Sequence, residues 1–216
     1  MRLLLIDTCG EVGSVALSEG ETIAASEMLP ERGSSSALLP AVTRLLQSKG
    51  WALSKLDGIG VVAGPGYFTG VRVGLAAAKG LCEAASLPLA AVSRLAVLAE
   101  AAALVDGYAV LDAGRGEYYV RIVRSGEEAQ DALCHRDDLL TKAYAKRVVV
   151  AESKLVEQIA VLRPELHLLR AEHALPAVLR GLQEGGSDVA TIDANYVRGE
   201  REIYGKARVG GGGDGA

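Results

Sequence analysis

Two stretches of this chain, about a hundred residues apart, follow one pattern. Residues 3–17 read LLLIDTCGEVGSVAL and residues 108–122 read YAVLDAGRGEYYVRI. Each stretch has an apolar strand, an aspartate, a tight turn and a second apolar strand, so that Asp7 and Asp112 hold equivalent places. A repeated strand–turn–strand unit indicates two related halves, and the alternative is a chance similarity over a short stretch.

Apolar periodicity along the chain predicts strands that alternate with helices, which is typical of an α/β protein. The predicted elements of the first half are strands at 3–7, 13–18, 22–28, 56–62 and 89–92 and helices at 37–49, 68–85 and 94–104. Beyond its repeated strands, the second half has a predicted strand at 147–151, a helix at 175–183 and a charged final helix at 193–208. The predicted N-caps are Ser34, Ser35 and Ser36 for the helix at 37–49 and Ser93 for the helix at 94–104.

These elements predict two related subdomains, the second one reduced, at residues 1–105 and 106–190. A C-terminal helix at 191–209 and a disordered glycine-rich tail at 210–216 are expected to follow.

Composition excludes several classes of protein. The apolar runs fall short of the roughly 20 residues that span a bilayer, and the first residues lack a signal-peptide cleavage site, so we expect a cytoplasmic protein without membrane contact. The net charge is −4, whereas a nucleic-acid-binding protein typically carries an excess of basic residues. No metal site is expected, because the cysteines and histidines do not follow the spacing of metal-binding motifs. They are Cys9, Cys82, Cys134, His135, His167 and His173.

Glycines recur every four residues where a turn runs into the second helix, at Gly66, Gly70 and Gly74. Glycine inside a helix costs roughly 1 kcal/mol relative to alanine, so this spacing indicates a backbone that approaches the helix closely. The neighbour is either the protein's own sheet or another subunit. The same helix is apolar or small nearly all round, which favours cover on two sides, by its own sheet and by a second helix or subunit.

The Asp7-Thr8 turn suits a phosphate or its magnesium ion, since turn amides donate and a carboxylate binds the cation. The alternative is an aspartate that only holds its own turn. Together with Asp112, the motif resembles the paired phosphate loops of actin-like ATPases and sugar kinases. Arg115 and Glu117 place long side chains in the second loop, so binding of ATP or ADP with magnesium is expected to be weak if it occurs.

Several motifs together resemble the TsaB (YeaZ) family, most strongly up to about residue 123. They are IDT at 6–8, LLP at 38–40, GPGYFTGVRVGL at 64–75, KGL at 79–81, DA at 112–113, RGEYY at 115–119 and YVR at 196–198. The glycine-rich block is the most specific of them. The chain departs from the family at residues 34–36, where serines stand in place of a histidine region, so a role for that histidine does not carry over.

The resemblance implies a duplicated actin-like ATPase fold (ASKHA, RNase H-like) and a scaffold without catalytic residues. Such a scaffold serves the synthesis of N6-threonylcarbamoyladenosine in tRNA. It pairs with the transferase TsaD through two helices of its first half, the ATPase TsaE docks on that pair, and tRNA is reached only through the complex. The residues expected at the interface are Leu39, Leu46, Gly66, Phe68, Gly70, Val73, Gly74, Ala77 and Leu81.

Alone, the same surface is expected to form a symmetric homodimer. Two enzyme classes remain as alternatives. An ATP-using enzyme of the sugar-kinase type would use Asp7 and Asp112. A peptidase is indicated only by the name glycoprotease given to these relatives, because Gly-x-Ser-x-Gly is missing from the sequence.

Overall fold

The computed structural model describes residues 1–31 and 33–195, and within them the chain forms two five-stranded sheets. The strands of the first sheet are β1 Arg2–Asp7, β2 Ser14–Glu19, β3 Thr22–Met28, β4 Gly58–Val62 and β5 Leu89–Val92. Their spatial order is β3-β2-β1-β4-β5. The strand β1 runs antiparallel to β2 and parallel to β4, so the predicted meander is confirmed and is extended by two parallel strands.

The second sheet repeats this arrangement. Its strands are β6 Gly107–Gly114, β7 Glu117–Val123, β8 Gln130–His135, β9 Val148–Val150 and β10 Glu165–Leu166. In the order β8-β7-β6-β9-β10, the strand β6 is antiparallel to β7 and parallel to β9. Order and direction therefore match those of the first sheet strand for strand. The duplication is confirmed, and a duplicated sheet of this order is the actin-like, RNase H-like α/β fold that the sequence predicted.

Six α-helices accompany the sheets in the part of the chain that the structure describes. They are α1 Ser34–Lys49, α2 Phe68–Ala85, α3 Arg94–Ala101, α4 Arg136–Lys142, α5 Ser153–Gln158 and α6 Leu175–Gln183. The bounds of α6 are those predicted. The helix α3 ends three residues before the predicted position, because Ala103 adopts a left-handed backbone with φ of 46°. The strand β8 and the helix α4 were not predicted, since their sequence is mostly polar.

The three serines before residue 37 are not N-caps, and that prediction is wrong. The helix α1 already begins at Ser34, and the cap position is Gly33, in the left-handed conformation with φ of 80°. The Ser36 hydroxyl donates to the Gly33 carbonyl at 2.9 Å from inside the first turn. The other predicted cap is confirmed, because the Ser93 side chain accepts from the Ala96 N–H.

Helices cover both faces of each sheet. On one face of each sheet, the covering helix comes from the sequence of the other half. The helices α1 and α2 cover one face of the first sheet, and α6 packs on the other. Gly60 in β4 leaves the space for α6, since a Cβ there would lie 2.4 Å from a methyl carbon of Val178. In the second half, α4 and α5 cover one face of the sheet and α3 covers the other. Packing therefore crosses the predicted division between residues 105 and 106.

The described part of the C-terminal region is irregular from Ile192 to Asn195. The Asn195 N–H donates to the Ala63 carbonyl at 2.7 Å, so the chain returns to the first half at this point. Residues 196–216, which hold most of the predicted C-terminal helix and the tail, lie outside the described residues. Over the described ranges, no helix combines the length and the apolar character that crossing a membrane demands.

Candidate functional site

The aspartates of the two repeats make the same local turn. The Asp7 Oδ1 accepts a hydrogen bond from the Cys9 N–H at 2.9 Å, and the Asp112 Oδ1 accepts one from the Gly114 N–H at 2.9 Å. These are Asx turns, in which a carboxylate holds the amide two residues further on. The two residues are therefore structurally equivalent, and each carboxylate stabilises its own turn.

A cleft between the two halves contains Asp112, but Asp7 and Thr8 do not line it. The side chains that define the cleft come from both halves: Tyr67, Phe68, Asp112, Arg115, Glu152 and Lys154. Asp7 is buried, with 4% of its surface exposed, and Thr8 borders a separate groove between the first turns of α1 and α2. The structure thus separates residues that the sequence grouped as one nucleotide site.

Lys154 neutralises the carboxylate of Asp112 within the cleft. Its Nζ donates to the Asp112 Oδ2, and this hydrogen bond, more than the charge of the carboxylate, raises the pKa of Lys154 above its usual value. The ammonium also lies 5.7 Å from the centre of the Tyr67 ring, a favourable position for a cation–π contact. The second repeat's aspartate is therefore paired with a cation of the chain itself.

Arg94 lies between the two aspartates. Its side chain is 4% exposed, and its Nη1 donates to the Glu152 Oε1 at 2.7 Å. Burial by itself lowers the pKa of this guanidinium, but the charges of Glu152 and Asp7 outweigh burial, so the pKa is raised and Arg94 is charged. The Glu152 Oε2 in turn accepts from the Asp112 N–H at 3.4 Å. One buried network of charges therefore runs from the first repeat to the second.

A magnesium nucleotide, which the actin-like fold implies between the halves, does not fit these residues. Such a ligand needs carboxylates that are free to hold a cation, but Asp112 binds Lys154 and Asp7 lies in the field of Arg94. In the second loop, Arg115 adopts a left-handed backbone with φ of 57° and places a long side chain at the cleft. Among the residues that the structure describes, no group of three histidine, cysteine or acidic side chains is arranged for a metal.

The close neighbour of Gly66, just before α2, and of Gly70 and Gly74 within α2 is the chain's own turn after β1. A Cβ at Gly66 would lie 2.4 Å from the Cys9 carbonyl oxygen, and one at Gly70 would lie 2.0 Å from the Thr8 carbonyl oxygen. A Cβ at Gly74 would meet the Thr8 Oγ1 at 2.3 Å. Of the two explanations for this spacing, close packing on the protein's own sheet is the correct one. Gly66, Gly70 and Gly74, all three expected at the interface with another subunit, therefore pack against this chain itself.

The outer face of α1 and α2 carries apolar side chains that remain at least partly accessible to solvent. Leu39 on α1 is 50% exposed, and three further residues expected at the interface are partly buried on α2: Val73, Ala77 and Leu81. Phe68, which was also expected there, is 43% exposed but lines the cleft, on the side of α2 opposite Ala77. Leu46 is 9% exposed and belongs to the core, so it does not reach this face. We define the docking face as Leu39, Val73, Ala77 and Leu81.

Sequence reasoning missed Glu152, Lys154 and Tyr67 as members of the cleft, and it missed Arg94 as the buried partner of Glu152. One signal for Arg94 was present, since an arginine at the first position of a helix opposes the helix dipole and therefore calls for a specific partner. That partner, Glu152, lies 58 residues further along the chain, and no local pattern connects the two.

Comparison with known proteins supplies the family context. Residues 26–181 match the family model of TsaD, tRNA N6-adenosine threonylcarbamoyltransferase. The chain is 39% identical over 79 residues to the tRNA threonylcarbamoyladenosine biosynthesis protein TsaB of Escherichia coli, a match that covers 37% of this chain. It is also 39% identical over 80 residues to the protein of the same name from Haemophilus influenzae. These matches span 34% of each relative's length, about a third.

Solved structures agree over nearly the whole chain. YeaZ from Pseudomonas aeruginosa is 29% identical, superimposes with a TM-score of 0.74, and is covered to 99% of its length by 90% of this chain. A second crystal structure, described as an uncharacterized protein with similarity to peptidase YEAZ from Pseudomonas aeruginosa, gives a TM-score of 0.75 at 29% identity, with 91% of this chain and 99% of the other covered.

Proposed function

Because the chain belongs to the tRNA N6-adenosine threonylcarbamoyltransferase family and resembles its TsaB (YeaZ) members, we propose that it is a non-catalytic scaffold subunit for threonylcarbamoyladenosine synthesis in tRNA. In this role it pairs with the transferase TsaD in the cytoplasm and contributes no catalytic group. The observation that carries the proposal is the docking face on α1 and α2, formed by Leu39, Val73, Ala77 and Leu81.

The docking face is suited to a helical partner. An apolar surface on two adjacent helices buries most area against two further helices, and apolar anchors dominate the energetics of such interfaces.

The charge network in the cleft supports the non-catalytic part of the proposal. The carboxylates that an ATP-using enzyme would need are engaged with Arg94 and Lys154. The overall negative charge supports contact with tRNA through the partner rather than through this chain. A docking site for TsaE on the assembled pair and a homodimer of the isolated chain complete the proposal.

A matched pair of variants tests the docking face. Leu39→Arg places a charge on the face, whereas Leu168→Arg makes the same change at a residue that is 63% exposed and lies outside it. We expect Leu39→Arg to weaken binding to purified TsaD by about tenfold or more, because a charge in the centre of an apolar interface costs at least about 1.4 kcal/mol. Leu168→Arg is expected to bind as the wild type does.

Affinity is measured by isothermal titration calorimetry, with circular dichroism to establish that both variants are folded. Sedimentation velocity of the isolated chain provides a second reading, in which Leu39→Arg is monomeric and Leu168→Arg retains the dimer. Equal affinities for the two variants would place the interface elsewhere on the molecule.

The two enzyme alternatives have separate tests. Calorimetry with ATP and magnesium would favour the sugar-kinase alternative if tight binding were observed and Asp7→Ala abolished it. The contacts of the histidines argue against a peptidase: His135 and His167 lie near the carboxylates of Glu117 and Glu165, and the His173 Nδ1 accepts from the Arg170 N–H. Hydrolysis of a peptide library by the purified chain would restore that alternative.

A further inference from the structure

Arg94 connects the two halves of the molecule through its backbone and its side chain. The Arg94 N–H donates to the Gly64 carbonyl of the first half at 2.7 Å. The side chain reaches Glu152, which directly precedes α5 in the second half, at 2.7 Å. Gly10 permits this path, because a Cβ there would lie 2.9 Å from the Arg94 Nη2.

Glu152 continues the connection to the second Asx turn. It accepts from the Arg94 guanidinium with one carboxylate oxygen and from the Asp112 N–H with the other. Lys154, two residues further along, holds the Asp112 side chain. The turn of the second repeat is therefore fixed to Arg94 by backbone and side-chain contacts together.

The burial of this pair makes it sensitive to the distance between the halves. Its two side chains are 4% and 11% exposed, so water cannot readily replace either partner. Within the described residues, the Arg94 Nε is buried without a hydrogen-bond partner. Separation of the halves would break the charge-assisted hydrogen bond of this pair, which is stronger than a hydrogen bond between neutral groups.

We propose that Arg94 and Glu152 form an interdomain latch that fixes the angle between the two halves. Proteins with two lobes around a ligand cleft commonly close by a hinge motion. Here Glu152 lines the cleft, and its ion pair with Arg94 holds the cleft at one opening, whether or not a ligand is offered. The inference concerns the isolated chain and does not depend on the partner proposed above.

Distance measurements between spin labels test the latch. One label is attached at Ala84→Cys on the exposed end of α2 and the other at Glu157→Cys on α5, with Cys134→Ser to remove the accessible native thiol. Double electron–electron resonance then reports the distribution of distances between the halves. The wild-type pair is expected to give one narrow distribution that magnesium and ATP do not change.

Glu152→Gln removes the charge from the latch and keeps its shape. We expect the distance distribution to become about twofold wider or more, as expected of a released hinge. Glu165→Gln is the matched control, because it removes the partner of Arg147 inside the second half, and the distribution is expected to stay narrow. An unchanged distribution in Glu152→Gln, or equal broadening in both variants, would overturn the proposal.

A double variant covers the case in which Glu152→Gln does not fold. Arg94→Met with Glu152→Met replaces the buried pair by apolar side chains, a change that buried ion pairs often tolerate without loss of stability. This variant is expected to fold and to show the broad distribution. A narrow distribution in the folded double variant would mean that apolar packing alone sets the angle, and the latch would be rejected.

Discussion

Replacing Gly70 by alanine tests whether the glycines of α2 exist for contact with the chain's own β1 turn. The new Cβ would lie 2.0 Å from the Thr8 carbonyl oxygen, where an ordinary contact is at least about 3.4 Å, so helix and turn must separate. Overpacking of this kind costs about 1–3 kcal/mol. The shift also strains the hydrogen bond that the Thr8 Oγ1 donates to the Gly70 carbonyl at 2.6 Å, which contributes about 0.5–1.5 kcal/mol.

Alanine also has a higher helix propensity than glycine. Replacing a second glycine of the same helix, Gly80, measures that gain alone. A Cβ at Gly80 meets nothing within 4 Å, so Gly80→Ala is expected to stabilise the protein by about 0.5–1 kcal/mol. Once the same gain is allowed for, Gly70→Ala is expected to be destabilised by about 1–3 kcal/mol. In a protein of this size, that corresponds to a melting temperature lowered by roughly 2–12 °C.

Urea denaturation followed by circular dichroism measures the free energy of unfolding of both variants and of the wild type. The values are compared where the m-values agree. The reasoning is refuted if Gly70→Ala is at least as stable as the wild type. It also fails if Gly80→Ala loses as much stability as Gly70→Ala, because a common loss would arise from the helix and not from its contact with Thr8.

Two further predictions concern packing and thiol chemistry. Gly60→Ala is expected to lower the stability by about 1–3 kcal/mol, because its Cβ would lie 2.4 Å from a methyl carbon of Val178. Thermal unfolding checks this. An unchanged melting temperature would show that α6 can shift without loss of stability. Burial raises the pKa of Cys82 to about 11 and that of Cys9 well above its usual value, so at pH 8 iodoacetamide is expected to modify the half-exposed Cys134 first, as read by peptide mass spectrometry. Early modification of Cys9 would contradict its burial.

Local pattern sufficed for the elements whose residues alternate or recur regularly. The strand at 22–28, the strand at 89–92 and the helix at 175–183 have the predicted bounds. The repeated aspartate indicated the duplication, and both carboxylates stabilise the same type of turn. The class of fold followed from these features before any contact was known.

Long-range packing decided what local pattern could not. The sequence of α6 shows an apolar face but does not show that this face meets Gly60 of the other half. The pairing of Arg94 with Glu152 depends on how the halves are set against each other, and each residue alone resembles an ordinary surface charge. The cap of α1 also escaped prediction, because Gly33 in a left-handed backbone replaced a serine side chain at that position.

Nucleoside mass spectrometry of tRNA tests the proposed role most directly. Total tRNA is taken from cells that lack this protein and from the same cells supplied with the wild type or with Leu39→Arg. We predict that N6-threonylcarbamoyladenosine is lost in its absence, returns with the wild type and returns only in part with Leu39→Arg. An unchanged amount of the modified nucleoside in cells without the protein would contradict the account.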